Sequence, residues 1–145
     1  MAVDAEHFRK LERLYQAAPT NAYFRPTLTV REGEAEVELA VRPDFFHAAA
    51  AVHGSIYFKA LDDAAYFAVN SLVTDVMVLT VSYNLYFTRP VSEGVIRAKG
   101  RVVHRSWQLF IAEAELFDDQ SRQIARGTGS FMRSTIALSP DIGYA

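Results

Sequence analysis

Val52-His53-Gly54-Ser55-Ile56-Tyr57-Phe58-Lys59-Ala60-Leu61-Asp62-Asp63-Ala64-Ala65-Tyr66-Phe67-Ala68-Val69-Asn70 decides the fold. From Ile56 onward the stretch is apolar on nearly every side, and a helix of that kind must be wrapped by the rest of its protein. Two carboxylates, Asp62 and Asp63, nevertheless sit in its middle, where a carboxylate is costly unless it is paired, hydrogen-bonded or used. Ser55 reads as the N-cap, and the turn at Val52–Ser55 offers free N–H groups to a negative charge. Donors beside a half-buried carboxylate are the parts that acyl transfer needs.

Upstream, residues 4–17 pattern as a short helix, with Asp4 as N-cap and Phe8, Leu11, Leu14 and Tyr15 on one stripe, and Pro19 stops it. Glu34, Glu36 and Glu38 alternate with Ala35, Val37, Leu39 and Val41, and with Phe24–Arg31 they read as a hairpin through Glu32-Gly33. Asp44–Val52 is a loop into the central helix. Downstream come four β runs, at residues 78–88, 95–104, 108–117 and 123–134, and a tail with Pro140 and Gly143 that reads as irregular. The short links between these runs predict antiparallel neighbours. Residues 1–145 therefore form one α+β domain, with a long central helix against an antiparallel sheet of five or six strands and a short N-terminal helix. Tyr83, Leu85 and Phe87, set against Ser82, Asn84 and Tyr86, would leave apolar surface exposed in a monomer, so an oligomer is expected.

Charge alternation predicts a register. Arg97, Lys99 and Arg101 alternate with Ile96, Ala98, Gly100 and Val102, and Glu113 and Glu115 alternate with Ala112, Ala114 and Leu116. A three-residue loop, Arg105-Ser106-Trp107, would pair His104 with Gln108 and set Lys99 opposite Glu113 and Arg97 opposite Glu115; a longer loop of the same parity also keeps charge off the apolar face, whereas a two-residue turn would set Lys99 opposite Ala112. The small residues Ala98, Gly100, Ala112 and Ala114 would then face the helix.

Composition narrows the chemistry. Half of the 145 residues are hydrophobic, enough for a real core, and the net charge of −2 gives no ground for nucleic-acid binding. With no cysteine, disulfides, thiolate nucleophiles and zinc–thiolate sites are excluded. Four widely spaced histidines without a His-x-x-x-His pair predict no metal, and the absence of Gly-x-Ser-x-Gly disfavours a serine hydrolase. Met1–His7 carries neither a basic nor an apolar leader region, and no apolar run reaches the ~18 residues of a membrane span, so a cytoplasmic protein off the membrane is expected.

Val52-His53-Gly54-Ser55 followed by Leu61-Asp62-Asp63-Ala64 resembles the His-Gly-Gly…Asp/Glu signature of hot-dog-fold thioesterases, in particular those like phenylacetyl-CoA and 4-hydroxybenzoyl-CoA thioesterase. Leu79–Val91, Gly94, Val102-Val103-His104-Arg105 and Ile124–Phe131 resemble that family's later strands, so the likeness spans roughly residues 24–134. It implies a curved antiparallel sheet wrapped around one helix, and a homodimer or dimer of dimers with a site shared between subunits. It further implies hydrolysis of an acyl-CoA thioester, with coenzyme A as part of the substrate and no separate cofactor. Asp62 would be base or nucleophile, the Gly54 N–H the oxyanion donor, and Thr80 the residue that positions water. His53 would shape the turn. His47 stands where many relatives carry Asn or Gln; it can donate a hydrogen bond but titrates near neutral pH. Arg89, His104 and Arg105 would contact coenzyme A phosphates. Asp63 instead pairs with Lys59 four residues earlier. Tyr57, Phe58, Tyr66, Tyr83 and Phe87 line an acyl pocket or fill the core. Two other readings stay open: a hot-dog dehydratase, whose motifs are not evident, and a non-catalytic acyl-CoA-binding protein, which the presence of Asp62 argues against.

Overall fold

The computed structural model describes residues 4–145; Met1–Val3, the start of the stretch read as lacking a leader, lie outside them. Helix α1 (Ala5–Ala17) begins where the Asp4 carboxylate accepts the Glu6 N–H at 3.0 Å, and it buries Leu11, Leu14 and Tyr15. Pro19 does more than stop this helix. It opens a second, α2 (Pro19–Phe24), at a position where its missing N–H costs nothing. That helix consumes the start of the expected hairpin, so β1 (Thr27–Arg31) begins at Thr27 rather than Phe24. Strand β2 (Glu34–Ala40) follows a turn in which Gly33 takes φ +73°, and it buries Ala35, Val37 and Leu39 while its glutamates point outward.

Helix α3 (Gly54–Asn70) is wrapped as its composition demands, with Ala60, Leu61, Ala64, Ala65, Ala68 and Val69 fully enclosed. Its N-cap is His53 rather than Ser55: the His53 Nδ1 accepts the Ser55 N–H at 3.0 Å, and the Ser55 hydroxyl lies 2.8 Å from the same nitrogen. Either side chain can supply an acceptor, but the helix begins two residues earlier than expected, after the extended His53.

The remaining strands are β3 (Val76–Phe87), β4 (Val95–Arg105), β5 (Leu109–Phe117) and β6 (Gln123–Ala137). All six form one antiparallel sheet in the order β1-β2-β4-β5-β6-β3, curved around α3. The expectation that every short link joins neighbours fails once, between β3 and β4, which have β6 and β5 between them. Crossing three strand spacings takes about 14 Å. Residues 88–94 can span that at ~3.3 Å each. The Thr88 and Arg89 N–H groups donate to the Ile124 carbonyl on the way.

The register has the expected parity, and lies two residues from that of the three-residue loop. Lys99 faces Glu115 and Arg101 faces Glu113, while Arg97 faces Phe117 and takes its ion pairs from Glu36 and Glu38 on β2. The hairpin closes later than expected, with the Ser106 N–H donating to the Leu109 carbonyl and Trp107 and Gln108 at the tip, so His104 pairs with Ile111, three residues from Gln108; the bulge at Val103 takes one residue back and restores the parity. Charge still faces charge on the outer face. Ala98, Ala112 and Ala114 are buried beneath α3, and a Cβ on Gly100 would lie 2.5 Å from the Ala64 carbonyl, so only glycine allows this approach. The tail past β6 is irregular apart from a 3-10 turn at Pro140–Ile142, and its Tyr144 hydroxyl donates to the Nδ1 of buried His7 at 2.7 Å.

Candidate active site

The start of α3 lies in an open cleft of about 470 Å³ lined by His47, Val52, Gly54, Tyr57, Phe87 and Arg89. The Gly54 N–H belongs to the first helical turn and has no acceptor among the described residues, so it is free to donate. The Phe87 ring closes over Gly54, where a Cβ would come within 2.9 Å of it. The Tyr57 hydroxyl donates to the Arg89 carbonyl at 2.8 Å and ties the exit of β3 to the helix. The His47 Nδ1 accepts the Ala49 N–H at 3.0 Å, and its ring stands edge-on to that of His53 at 6.4 Å.

Asp62 lies further along α3, on the side facing β3. The Thr80 hydroxyl donates to its Oδ1 at 2.9 Å, and Oδ2 has no partner among the described residues. Burial pushes the Asp62 carboxyl up to about 6; the Thr80 hydrogen bond and Lys59 oppose this, and Asp63 adds to it. Such a group is ionised at neutral pH yet basic enough to take a proton. Asp63 points the other way. Lys59 Nζ lies 2.9 Å from its Oδ2, as the sequence spacing predicts, and the Tyr15 hydroxyl of α1 donates to the same oxygen at 2.7 Å. Burial raises the Asp63 carboxyl also, and those two partners hold it back. Beside Asp62, Tyr83 packs edge-on to Phe58 and over Gly127 and Gly129, whose missing side chains leave room for its ring. Its buried hydroxyl has no partner among the described residues, and burial together with Asp62 raises its pKa.

The sequence-predicted residues thus fall into three places. Gly54, His47 and Arg89 share the cleft, with His53 capping the helix beside them. Asp62 and Thr80 form a second group; eight residues separate Asp62 from Gly54, which is about 12 Å along the axis. Arg105 lies at the opposite end of α3, in a pocket with Leu72 and Val73, and His104 is exposed on β4. Among the described residues no cluster of metal-ligating side chains occurs. The Tyr15–Asp63 contact and the tie from Tyr57 to Arg89 join residues 48 and 32 positions apart, and no local pattern announces them.

Comparison with known proteins agrees with this architecture. Residues 50–125 match the family model of the Thioesterase superfamily. Rv1847 of Mycobacterium tuberculosis, a candidate esterase, is 29% identical over 97 residues, covering 64% of this chain and 69% of its own length. SSO2140 of Saccharolobus solfataricus, also a candidate esterase, is 21% identical over 126 residues, covering 87% of this chain and 86% of its own. Among solved structures, the E. coli PaaI protein from the phenylacetic acid degradation operon superposes with a TM-score of 0.86 at 18% identity, covering 95% of this chain and all of that one.

Proposed function

The chain belongs to the thioesterase superfamily, a family of hydrolases with the hot-dog fold, and from that premise we propose that it hydrolyses an acyl-CoA thioester at a site shared by two copies. The observation that carries the proposal is Asp62. It is a half-buried carboxylate with one oxygen held by Thr80, the other free, and its pKa raised to about 6. In the proposed reaction the Asp62 carboxylate takes a proton from water as the water oxygen bonds to the thioester carbonyl carbon. The carbon–sulfur bond then breaks, and the thiol leaves with that proton. Direct attack by Asp62, followed by hydrolysis of the resulting anhydride, uses the same ionised group. The Gly54 N–H and the α3 N-terminus would stabilise the oxyanion, and His47 and Arg89 would border the substrate in the cleft.

Within one chain Gly54 and Asp62 are too far apart to act on one carbonyl. A second copy would supply the missing half. The outer edge of β3 supports this, since among the described residues no strand pairs with it and Leu79, Val81 and Phe87 are 50%, 59% and 57% exposed. A homodimer, or a dimer of dimers, is the assembly proposed. Among the described residues no helix is long and apolar enough to cross a membrane. Within the proposal the protein works in the cytoplasm on a soluble substrate and needs no cofactor beyond the coenzyme A that the substrate carries.

The test is thiol release from a panel of aromatic, short and long acyl-CoA esters, by the wild type and by Asp62→Asn. Release by the wild type that Asp62→Asn abolishes supports the proposal; no release from any ester, or equal release by both, refutes it.

A further inference from the structure

We propose that the ring of Tyr83 closes the space beside Asp62 and limits this protein to short-chain acyl groups, of about four carbons. That these are the acyl groups of a thioester rests on the proposed function; the closed space does not. The arrangement starts from a bulge in β3. Thr80 pairs with Phe131 and Ser82 with Ser130, so Val81 is one residue more than β6 can match. An extra residue reverses the alternation of a strand. Thr80 reaches Asp62 on the helix side, and beyond the bulge Tyr83 packs on that same side while Ser82 is exposed. Without the extra residue Tyr83 would face away from the helix.

Helix α3 presents Phe58, Asp62 and Tyr66 at four-residue steps, so the three stand in one row, each about 6 Å from the next along the axis. Both flanks of Asp62 are shut by an aromatic contact between helix and sheet. On one, the Tyr66 hydroxyl donates to the Val78 carbonyl at 2.7 Å, and its ring stands edge-on to buried Phe131. On the other, the Tyr83 ring meets Phe58 edge-on, with centroids 5.6 Å apart. This second closure depends on β6, where Gly127 and Gly129 leave room: a Cβ on Gly129 would lie 2.6 Å from the Tyr83 ring. The enclosed Tyr83 hydroxyl has no partner among the described residues, so hydrogen bonding does not explain where the ring sits. Its volume does. What remains is about one helical turn on either side of Asp62, which a chain of about four carbons fills. A longer chain meets the phenol ring, and one surplus methylene in a close-fitting pocket costs about tenfold or more in kcat/KM.

The test is kcat/KM over a ladder of straight-chain acyl-CoA esters, from acetyl to decanoyl. The wild type should peak at or below butyryl and fall at least about tenfold by octanoyl. Tyr83→Ala removes the ring and should raise octanoyl at least about tenfold relative to butyryl. Tyr83→Phe keeps the ring and should keep the wild-type limit. Tyr83→Leu takes the place of the alanine variant if that one does not fold. A wild type that takes octanoyl as well as butyryl overturns the size limit and leaves the thioesterase reading standing. So does a limit that stays in place in Tyr83→Ala, or one that moves as far in Tyr83→Phe, which would put the selection in the hydroxyl. Calorimetric binding of S-butyl- and S-octyl-coenzyme A, thioethers that cannot be hydrolysed, separates the two readings further. If no ester is hydrolysed but Tyr83→Ala binds the octyl thioether at least about tenfold more tightly than the wild type does, the size limit stands and the thioesterase reading falls. Equal binding of that thioether by both proteins overturns the limit, and binding of neither thioether by either protein overturns both readings.

Discussion

The two edges of the sheet are finished differently. β1, five residues long, is closed by α1: the Val30 N–H donates to the Glu12 carboxylate at 2.8 Å, and Arg9 donates to the Val30 carbonyl at 2.8 Å. β3, twelve residues long, has no such cover and exposes Leu79, Val81, Tyr86 and Phe87. Exposed, long and apolar edges are hazards that proteins ordinarily block. This chain blocks the edge remote from its candidate site and leaves open the one whose Thr80 holds Asp62. The same division runs through the helix, where Asp63 is tied to Lys59 and Tyr15 on the closed side while Asp62 keeps one oxygen free on the open side.

The largest expected effect is at the open side. Asp62→Asn should lower turnover at least hundredfold, about 2.7 kcal/mol in barrier. It should also raise Tm. The folded-state pKa of Asp62 stands above its ordinary 3.8, at about 6, so its contribution to stability is full below the lower value and is lost as pH rises through the upper one. Removing the charge restores at most about 3 kcal/mol at pH 7 and above. Asp63→Asn is the control, with turnover held within about threefold because an ion pair of this kind is chiefly structural. A fall of less than tenfold for Asp62→Asn, or a larger one for Asp63→Asn, would reverse the assignment.

A second change breaks the open edge itself. Val81→Lys places on β3 the kind of charge that blocks edges elsewhere. Light scattering should show smaller particles, and activity should drop about tenfold or more if two copies share the site. A fully active monomer would disprove the sharing. At the closed edge, Glu12→Ala should cost about 1 kcal/mol in urea unfolding by freeing the Val30 N–H, with assembly and turnover unchanged; altered assembly would show that α1 is more than an edge cover. The smallest effect is a shift in pH profile. Thr80→Val removes a donor that favours the Asp62 carboxylate, so the acid limb of kcat/KM should move up from about 6. A hydrogen bond of about 1 kcal/mol predicts a shift of roughly 0.7 pH units. A limb that stays in place would mean that Asp62 does not set it.

The helix was legible because its apolar residues leave it no exposed face, and Lys59–Asp63 because both partners sit one turn apart. Other features were hidden for physical reasons. Strand alternation has a period of two, so it told which residues share a face but could not count rungs past the bulge at Val103. The length of residues 88–94 fits a neighbouring strand or a crossing over a curved sheet equally well, and only the curvature decides. At the candidate site, the spacing from His53 to Asp62 marked the residues by resemblance, while their separation along one helix showed that a single chain does not unite them. Tyr15 carries no local signal for its bond to Asp63, since it acquires that setting from a segment far away in the sequence.

The glycine at position 100 has a mechanical consequence. Beneath the middle of α3, strands β4 and β5 present the small residues Ala98, Gly100, Ala112 and Ala114, and the helix backbone almost touches Gly100. On the other flank it is propped by rings: Tyr66 stands edge-on to Phe131 at 6.2 Å and donates to the Val78 carbonyl at 2.7 Å. The layer between helix and sheet is therefore a wedge, thin at Gly100 and thick at Thr80. The thin end fixes where the helix sits, and the aromatic rings at the thick end set how wide the gap beside Asp62 is.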